Sequence, residues 1–400
     1  GEIHRHFLRR PLSKPRGRSL MQTSEIIVIA GPTASGKSGL ALALAERLDG
    51  VVINADSMQV YRDIPILAAA PSASDCSRVP HRLYGIYDAS VHGNVVDWLE
   101  LCKAEIAAAR ARNKTPVIVG GTGMYIEALT EGVTPIPETP GAIRSQIALL
   151  QKEQGLAAVY DLVAKNDPET AARLSPNDAT RLRRAAEIWL HTGKPLSYWH
   201  TVPLIKNFAP QDFFRIYIKP PRDILDARAR IRFDLMMQQG ALKEVQELAA
   251  RNLPDSLPAM RALGVQELKA FLNGQTSLEE AVELAKLHTR QYAKRQSTWF
   301  NNRFSPDLVF PGYFETSAPT GRFPTNDAES DKFASNSSSG SNLELNSSTG
   351  NKPAPGSSAG SNRFVAEGIT HRFAADSSVS KNFVDEVVDN LKKRYKMLAK

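Results

Sequence analysis

The stretch from Glu25 to Leu48, EIIVIAGPTASGKSGLALALAERL, constrains the fold more than any other part of the chain. Ile26 to Ala30 is a β-branched run suited to a buried strand, and Ser38 to Leu48 carries apolar residues at helical spacing. Between them the loop reads G-x-x-x-x-G-K-S, with Gly31, Pro32, Thr33, Ala34, Ser35, Gly36, Lys37 and Ser38. Such a loop turns its amides inward at a helix N-terminus, Lys37 adds a full positive charge, and the Ser38 hydroxyl is suited to Mg²⁺ on a bound phosphate. The spacing therefore predicts a phosphate cradle. A nucleoside triphosphate or another diphosphate would satisfy it equally.

The rest of the middle alternates strand and helix. GVVINADS predicts a strand at 51–54 and TPVIVGGTGMY another at 116–120, each followed by a helical pattern. Alternation with short connections implies a parallel sheet covered on both faces, with ligands at the carboxyl ends of its strands. The fold class expected is a P-loop NTPase-like α/β sheet with an inserted helical unit. The core is expected over 21–136 and 204–312, and the insert over 137–203. FFRIYIK returns the chain to the sheet, and two long helical segments, from Arg222 to Asn252 and from Leu278 to Phe304, close it.

The ends differ from this middle. Residues 1–20 hold six arginines and lysines against one acid and no apolar run, which suits a transit segment or extension before Met21 rather than a secretory signal. Of the 27 residues from Ser335 to Ser361, 18 are Ser, Asn or Gly, too polar a tract to fold, so 313–380 is expected to be a disordered linker. Phe383, Val384, Val387, Val388, Leu391, Tyr395 and Leu398 mark one helical face over 381–400. Removing 313–400 is expected to leave the core's stability nearly intact.

Composition narrows the class. No run of 18 apolar residues exists, so no spanning helix is expected. Two cysteines far apart argue for a reducing compartment, the cytoplasm, and against a disulfide or zinc scaffold. A net charge of +8 suits an anionic partner.

Several residues outside the loop carry chemistry. Asp56 follows the second strand, where a carboxylate can take a proton, bind Mg²⁺ through water, or simply cap the next turn. Thr122 follows the third strand within Gly120-Gly121-Thr122-Gly123, which brings a hydroxyl but no charge and disfavours ATP chemistry. Arg228 and Arg232 share a helical face suited to a diphosphate leaving group, or to solvent. Lys286, Arg290 and Lys294 recur every four residues, with Arg295, Trp299 and Arg303 nearby, a stripe suited to a nucleic acid backbone or to a solvated face.

AGPTASGKS, INADSMQVYR, VPHRL, VIVGGTGMY, SPNDATRLRRAAEIWLHTGKPLS and TRQYAKRQSTWF occur in one order over roughly 25–304. Together they closely resemble the bacterial type of tRNA dimethylallyltransferases, also called tRNA isopentenyltransferases. The resemblance implies transfer of a dimethylallyl group from dimethylallyl diphosphate to N6 of the adenosine just 3′ of the anticodon. It implies Asp56 as general base, Thr122 and Arg232 on the departing diphosphate, the P-loop on the donor, and Mg²⁺ as cofactor. For tRNA it implies contacts from Asp56, Ser57, Met58 and Gln59, from Arg144, and from Thr180, Arg181, Leu182, Arg183 and Arg184. A last group of contacts comes from Lys294, Arg295, Gln296, Ser297, Thr298 and Trp299, with the inserted unit gripping the anticodon stem-loop and the enzyme acting as a monomer. The chain departs from the family pattern at Ala70, where a lysine is usual, and at Val265, where tyrosine is frequent. A small-metabolite kinase and a tRNA-binding protein without catalysis are the alternatives.

Overall fold

The computed structural model describes residues 25–314 and 377–398; the basic segment 1–20 and 315–376 of the linker lie outside them. Six parallel strands form one sheet in the order β3-β2-β4-β1-β5-β6. They are β1 (Ile26–Ala30), β2 (Gly50–Asn54), β3 (His81–Arg82), β4 (Thr115–Gly120), β5 (Phe213–Ile218) and β6 (Leu308–Phe310). Strands β1, β2 and β4 are buried along their whole length, as parallel strands covered on both faces must be.

Alternation along β1 divides the core. Ile26, Val28 and Ala30 join one apolar cluster, while Ile27 and Ile29 join the other. The first cluster takes in α3 (Val95–Ala111), α4 (Gly123–Thr130), α10 (Ala241–Ala250), α11 (Val265–Leu272) and α12 (Leu278–Arg303). Val265 lies fully buried in it, so packing closes around the smaller side chain. The second cluster takes in α1 (Lys37–Arg47) and the last helix, α13 (Ser377–Leu398).

Local chemistry sets the remaining boundaries. The long helical pattern from Arg222 breaks at Gly240, whose φ of 102° is left-handed, giving α9 (Arg222–Gln238) and then α10. The short helix α2 (Ala73–Arg78) begins with a Ser72–Asp75 capping box. From 141 to 201 the helices α5 (Gly141–Asn166), α6 (Pro168–Arg173), α7 (Ala179–Thr192) and α8 (Leu196–Thr201) gather around their own cluster of Ile147, Val159, Val163, Leu182 and Ala185.

The C-terminal part corrects two expectations. Tyr313 and Phe314, assigned to the linker, belong to the folded body, and the last helix begins at Ser377. That helix also docks. Phe383, Val387, Val388 and Leu391 are buried against the second face, with the Phe383 ring 4.6 Å from that of Phe310. The side chains of Tyr395 and Leu398 lie outside the described residues. The reason is geometric: β5 presents Phe214, Ile216 and Ile218 to a face that α1 alone does not cover. Arg394 adds a charge at the seam, its Nε 3.1 Å from Oε1 of Glu25, which is 4% exposed.

Burial pushes the Glu25 carboxyl up, and Arg394 pulls it back. Arg394→Gln should therefore raise it further above its unfolded value. A raised carboxyl binds more protons folded than unfolded, so this penalty appears at neutral pH and fades as pH falls below the folded value. The variant should melt below wild type at pH 7 and approach it at pH 4.5; an equal deficit at both would remove Glu25 from the account. Truncation after 314 should cost at least about 3 kcal/mol, since four buried apolar side chains lose their cover.

Candidate active site

Three adjacent strands deliver the site. The P-loop leaves β1, Asp56 follows β2 and Thr122 follows β4, and in the order β2-β4-β1 their carboxyl ends are neighbours. The loop closes through Ser35 N–H to the Pro32 carbonyl, 3.2 Å, and Gly36 caps α1 at φ 88°. Ala34 is also left-handed, at φ 65°. Lys37 is 8% exposed, and its Nζ donates to the Pro32 carbonyl at 3.3 Å. Burial pulls the Lys37 ammonium down to about 8, against the pull of Asp56, while Arg232 adds to the fall. Arg232, from α9, is likewise lowered by burial and held up by Asp56 and Tyr313. Lys37, Arg232 and Asp56 thus share one electrostatic neighbourhood.

Asp56 caps a turn and keeps an oxygen in reserve. Its Oδ1 accepts from Met58 N–H at 2.9 Å, and its own N–H donates to Asn54 Oδ1 at 2.8 Å. Asn54 in turn donates to the carbonyls of Asp56 and Leu83 and is fully buried, so the carboxylate sits on a fixed backbone. Thr122 Oγ1 accepts from Ser57 N–H at 2.9 Å and donates to Ser57 Oγ at 3.2 Å, joining the β2 and β4 loops.

Helix α12 closes the crevice from the side. Gln296 is 5% exposed, accepts from Thr33 N–H at 2.8 Å and donates to the Gly121 carbonyl at 2.9 Å. One side chain therefore ties the P-loop to the Gly-rich loop after β4. A Cβ on Gly121 would lie 2.3 Å from Gln296 Nε2 and push that amide out of place. One turn earlier, Tyr292 reaches both Thr122 and Gln296; burial, with Asp56 nearby, pushes its phenol up, so it stays a proton donor. Sequence reasoning misses Tyr292, although it precedes Gln296 by four residues on one helical face.

Several residues expected to touch RNA sit elsewhere. Gln296 faces inward with both amide ends engaged, and Leu182 is a fully buried member of the insert's core. Lys286 is 8% exposed and pairs with Asp234 at 2.6 Å and Glu283 at 2.9 Å, so the stripe does not begin there. The drift of the helix accounts for this: a period of four departs from the helical 3.6, and the row turns inward at its start.

Others remain at the surface. Lys294, Arg295, Thr298, Trp299 and Arg303, with Gln291 and Asn302, line an open groove of about 520 Å³ on α12. Ser297 donates to the Ala293 carbonyl. On the insert, Thr180 and Arg181 are exposed, Arg181 pairing with Asp178 at 2.7 Å. Arg183 donates to the Ala179 carbonyl, Arg184 to Thr139, and Arg144 lies 3.5 Å from Glu138. Gln59 donates to the carbonyls of Ala68 and Ala69, fixing the loop in which Ala70 replaces the usual lysine.

For Mg²⁺ the P-loop offers a single side-chain donor. Ser38 is exposed in the first turn of α1, and among the described residues no group of three or more His, Cys, Asp or Glu is arranged for a metal. A cation here would rest on the Ser38 hydroxyl and on the oxygens of a bound phosphate, as Mg²⁺ commonly does.

The geometry meets close likenesses among known proteins. A family model described as IPP transferase matches residues 59–303. The tRNA dimethylallyltransferase of Rhodospirillum centenum is 47% identical over 291 residues, spanning 72% of this chain and 93% of that protein. A crystal structure of the full-length tRNA isopentenylpyrophosphate transferase from Bacillus halodurans is 34% identical, with a TM-score of 0.52, covering 72% of this chain and 90% of that one. A eukaryotic dimethylallyltransferase acting on tRNA, seen in crystallographic snapshots, is 30% identical with a TM-score of 0.60, covering 69% of each chain.

Because burial lowers Lys37 to about 8 from 10.5, diphosphate affinity should fall as pH rises through about 8. The sign follows from charge: only the ammonium attracts the anion, and in the free protein it loses its proton there. Titration with inorganic diphosphate from pH 6.5 to 9.5 on wild type beside Lys37→Arg, a pair in which the ligand's own titration cancels, checks this, and profiles of the same shape would remove Lys37 from the cradle.

Proposed function

The chain belongs to the IPP transferase family of tRNA dimethylallyltransferases, and on that premise we propose that it transfers a dimethylallyl group from dimethylallyl diphosphate to N6 of the adenosine 3′ to the anticodon of tRNA. The observation that carries this reading is the meeting of three features at one sheet edge: a phosphate loop, an anchored carboxylate and a basic groove on α12. A nucleotide kinase more usually carries an acid at the end of this strand, where this chain has Gly120-Gly121-Thr122-Gly123, which disfavours that reading although Asp56 could supply a carboxylate. The relatives above are named as prenyltransferases.

The exocyclic amine of adenine is a weak nucleophile, because its lone pair is delocalised into the ring. As the bond from N6 to the first carbon of the prenyl group forms, the carbon–oxygen bond to the diphosphate breaks and its electron pair leaves with the diphosphate. The N6 proton passes to Asp56. Oδ1 is held by Met58 N–H, so Oδ2 is the oxygen assigned to that proton. Lys37, Arg232 and the loop amides stabilise the charge developing on the leaving group. Thr122 lies beside Asp56 through Ser57 and orients the donor from the opposite loop. Mg²⁺ at Ser38, when bound, neutralises charge on the diphosphate.

The groove lined by Lys294, Arg295 and Trp299 is assigned to the anticodon loop, with Arg181 and Arg184 on the insert assigned to its stem. A base taken from its stack then needs an aromatic platform, which Trp299 supplies at the groove. No described helix is long and apolar enough to cross a membrane. We assign the enzyme to the cytoplasm as a monomer.

The test is incubation of the purified protein with unmodified tRNA and labelled dimethylallyl diphosphate. Label should appear in tRNA without consumption of ATP; ATP hydrolysis matched to product would restore the kinase. Asp56→Asn should lower turnover by roughly two to four decades with little change in tRNA affinity. Lys294→Gln with Arg295→Gln should flatten the dependence of tRNA affinity on salt, by about 0.7 to 0.9 of log–log slope for each phosphate no longer neutralised. An unchanged slope would return the groove to solvent.

A further inference from the structure

Resting on the transferase reading above, we infer that Gln296 is a positioning residue that sets the separation between the donor in the P-loop and Asp56, rather than a contact to RNA. The family resemblance places it among the tRNA-binding residues of α12, yet its side chain is 5% exposed and both ends of its amide are engaged within the protein. The partners fix which way the amide lies. The group at Thr33 is an N–H, which meets Oε1 at 2.8 Å, and the group at Gly121 is a carbonyl, which meets Nε2 at 2.9 Å. Glutamine supplies an acceptor and a donor from one planar group, as a carboxylate cannot.

This amide stands in a line of contacts that crosses the crevice. From the P-loop it passes through Gln296 to Gly121. The next residue, Thr122, accepts from Ser57 N–H at 2.9 Å, and Ser57 directly follows Asp56, whose Oδ1 is held by Met58 N–H. The loop assigned to the leaving group and the carboxylate assigned to the proton are thus joined through one side chain. Transfer requires N6 and the first prenyl carbon to approach within about 3–3.5 Å with the breaking carbon–oxygen bond in line, so the distance between the two loops is part of the reaction geometry.

Helix α12 keys into both loops around this point. Ala293, one turn earlier, joins Ala34 of the P-loop with Leu225 and Ala229 of α9 in a small apolar cluster. Trp299, three residues later, lies against Gly123, where a Cβ would come 2.4 Å from Cδ2 and Cε3 of the indole. The two glycines that flank Thr122 therefore lack side chains where α12 presents Gln296 and Trp299. Lys294, Arg295 and Thr298 of the same helix line the groove assigned to RNA. One helix carries both the surface for the acceptor and the spacer that places the donor.

The experiment measures kcat and both KM values in Gln296→Met, which keeps the length and loses the hydrogen bonds, with inorganic diphosphate binding by calorimetry to count competent sites. Turnover per competent site should fall by about 10- to 100-fold, the scale of a misplacement of about 1 Å, while the KM values for dimethylallyl diphosphate and tRNA stay within about threefold. Gln296→Glu, which keeps the acceptor for Thr33 and sets an oxygen against the Gly121 carbonyl, should fall at least as far. Gly121→Ala should lower kcat similarly by displacing the amide; the next atom, the Gly31 carbonyl oxygen, is 3.2 Å from that Cβ. Adding Gly121→Ala to Gln296→Ala should therefore cost less than about twofold more, and losses that multiply would overturn the joint action of the two residues. A higher tRNA KM with kcat unchanged would make Gln296 an RNA contact, and a higher donor KM alone would make it a donor contact. A loss of turnover matched by a loss of competent sites would make it structural only; each of these results overturns the spacer. Wild-type kcat in Gln296→Met overturns this role alone, whereas failure of the wild type to label tRNA overturns the transferase reading beneath it.

Discussion

Two buried or half-buried cations, Lys37 and Arg232, crowd one carboxylate, Asp56, at the carboxyl edge of the sheet, and the rest of the structure serves to hold that imbalance. Buried like charges repel and lose hydration, so they persist only where the surrounding backbone is fixed. The backbone here is fixed on every side: Asn54 under Asp56, Gln296 between the P-loop and Gly121, Thr122 against Ser57, and Phe314 on Ser35. What results is a site that is short of negative charge until an anion enters. That imbalance is the reason the proposed donor site suits a diphosphate.

The placement of that site is legible in the sequence because it depends on local pattern. A glycine-bracketed loop between a β-branched run and an amphipathic helix fixes the cradle, and parallel strands bring the segments after β1, β2 and β4 to one edge whatever the details of packing. The sequence also shows Asp56 and Thr122 directly after strands. Strand order, by contrast, is set by long-range pairing, and β3 and β6, of two and three residues, are too short to show a periodicity.

What is not legible depends on which way a side chain faces. Gln296, Lys286 and Leu182 lie on helices whose other faces carry exposed residues, and a few tens of degrees of helical rotation separate a groove from a core. Gln296 is polar enough to suggest a surface, yet its amide suits the space between two loops whose backbone N–H and carbonyl need partners. Lys286 similarly reads as part of a basic row until Asp234, on another helix, is brought against it. No spacing within α12 discloses that acid.

The terminal helix makes the same point at larger scale. A polar tract of Ser, Asn and Gly contributes no core, but it does not follow that the amphipathic helix beyond it is idle. The face of β5 that turns toward α1 carries Phe214, Ile216 and Ile218, and an apolar sheet face must be covered. With α1 lying over β1 and β4, the strands on the other side of β1 depend on α13, whose apolar face is visible in the sequence without its destination. Since Phe310 and Phe314 lie between that helix and the P-loop, the cover that completes the sheet also bears on the turn of that loop. Three aromatic rings, Phe383, Phe310 and Phe314, thus join the helix at the far end of the chain to the loop at its beginning.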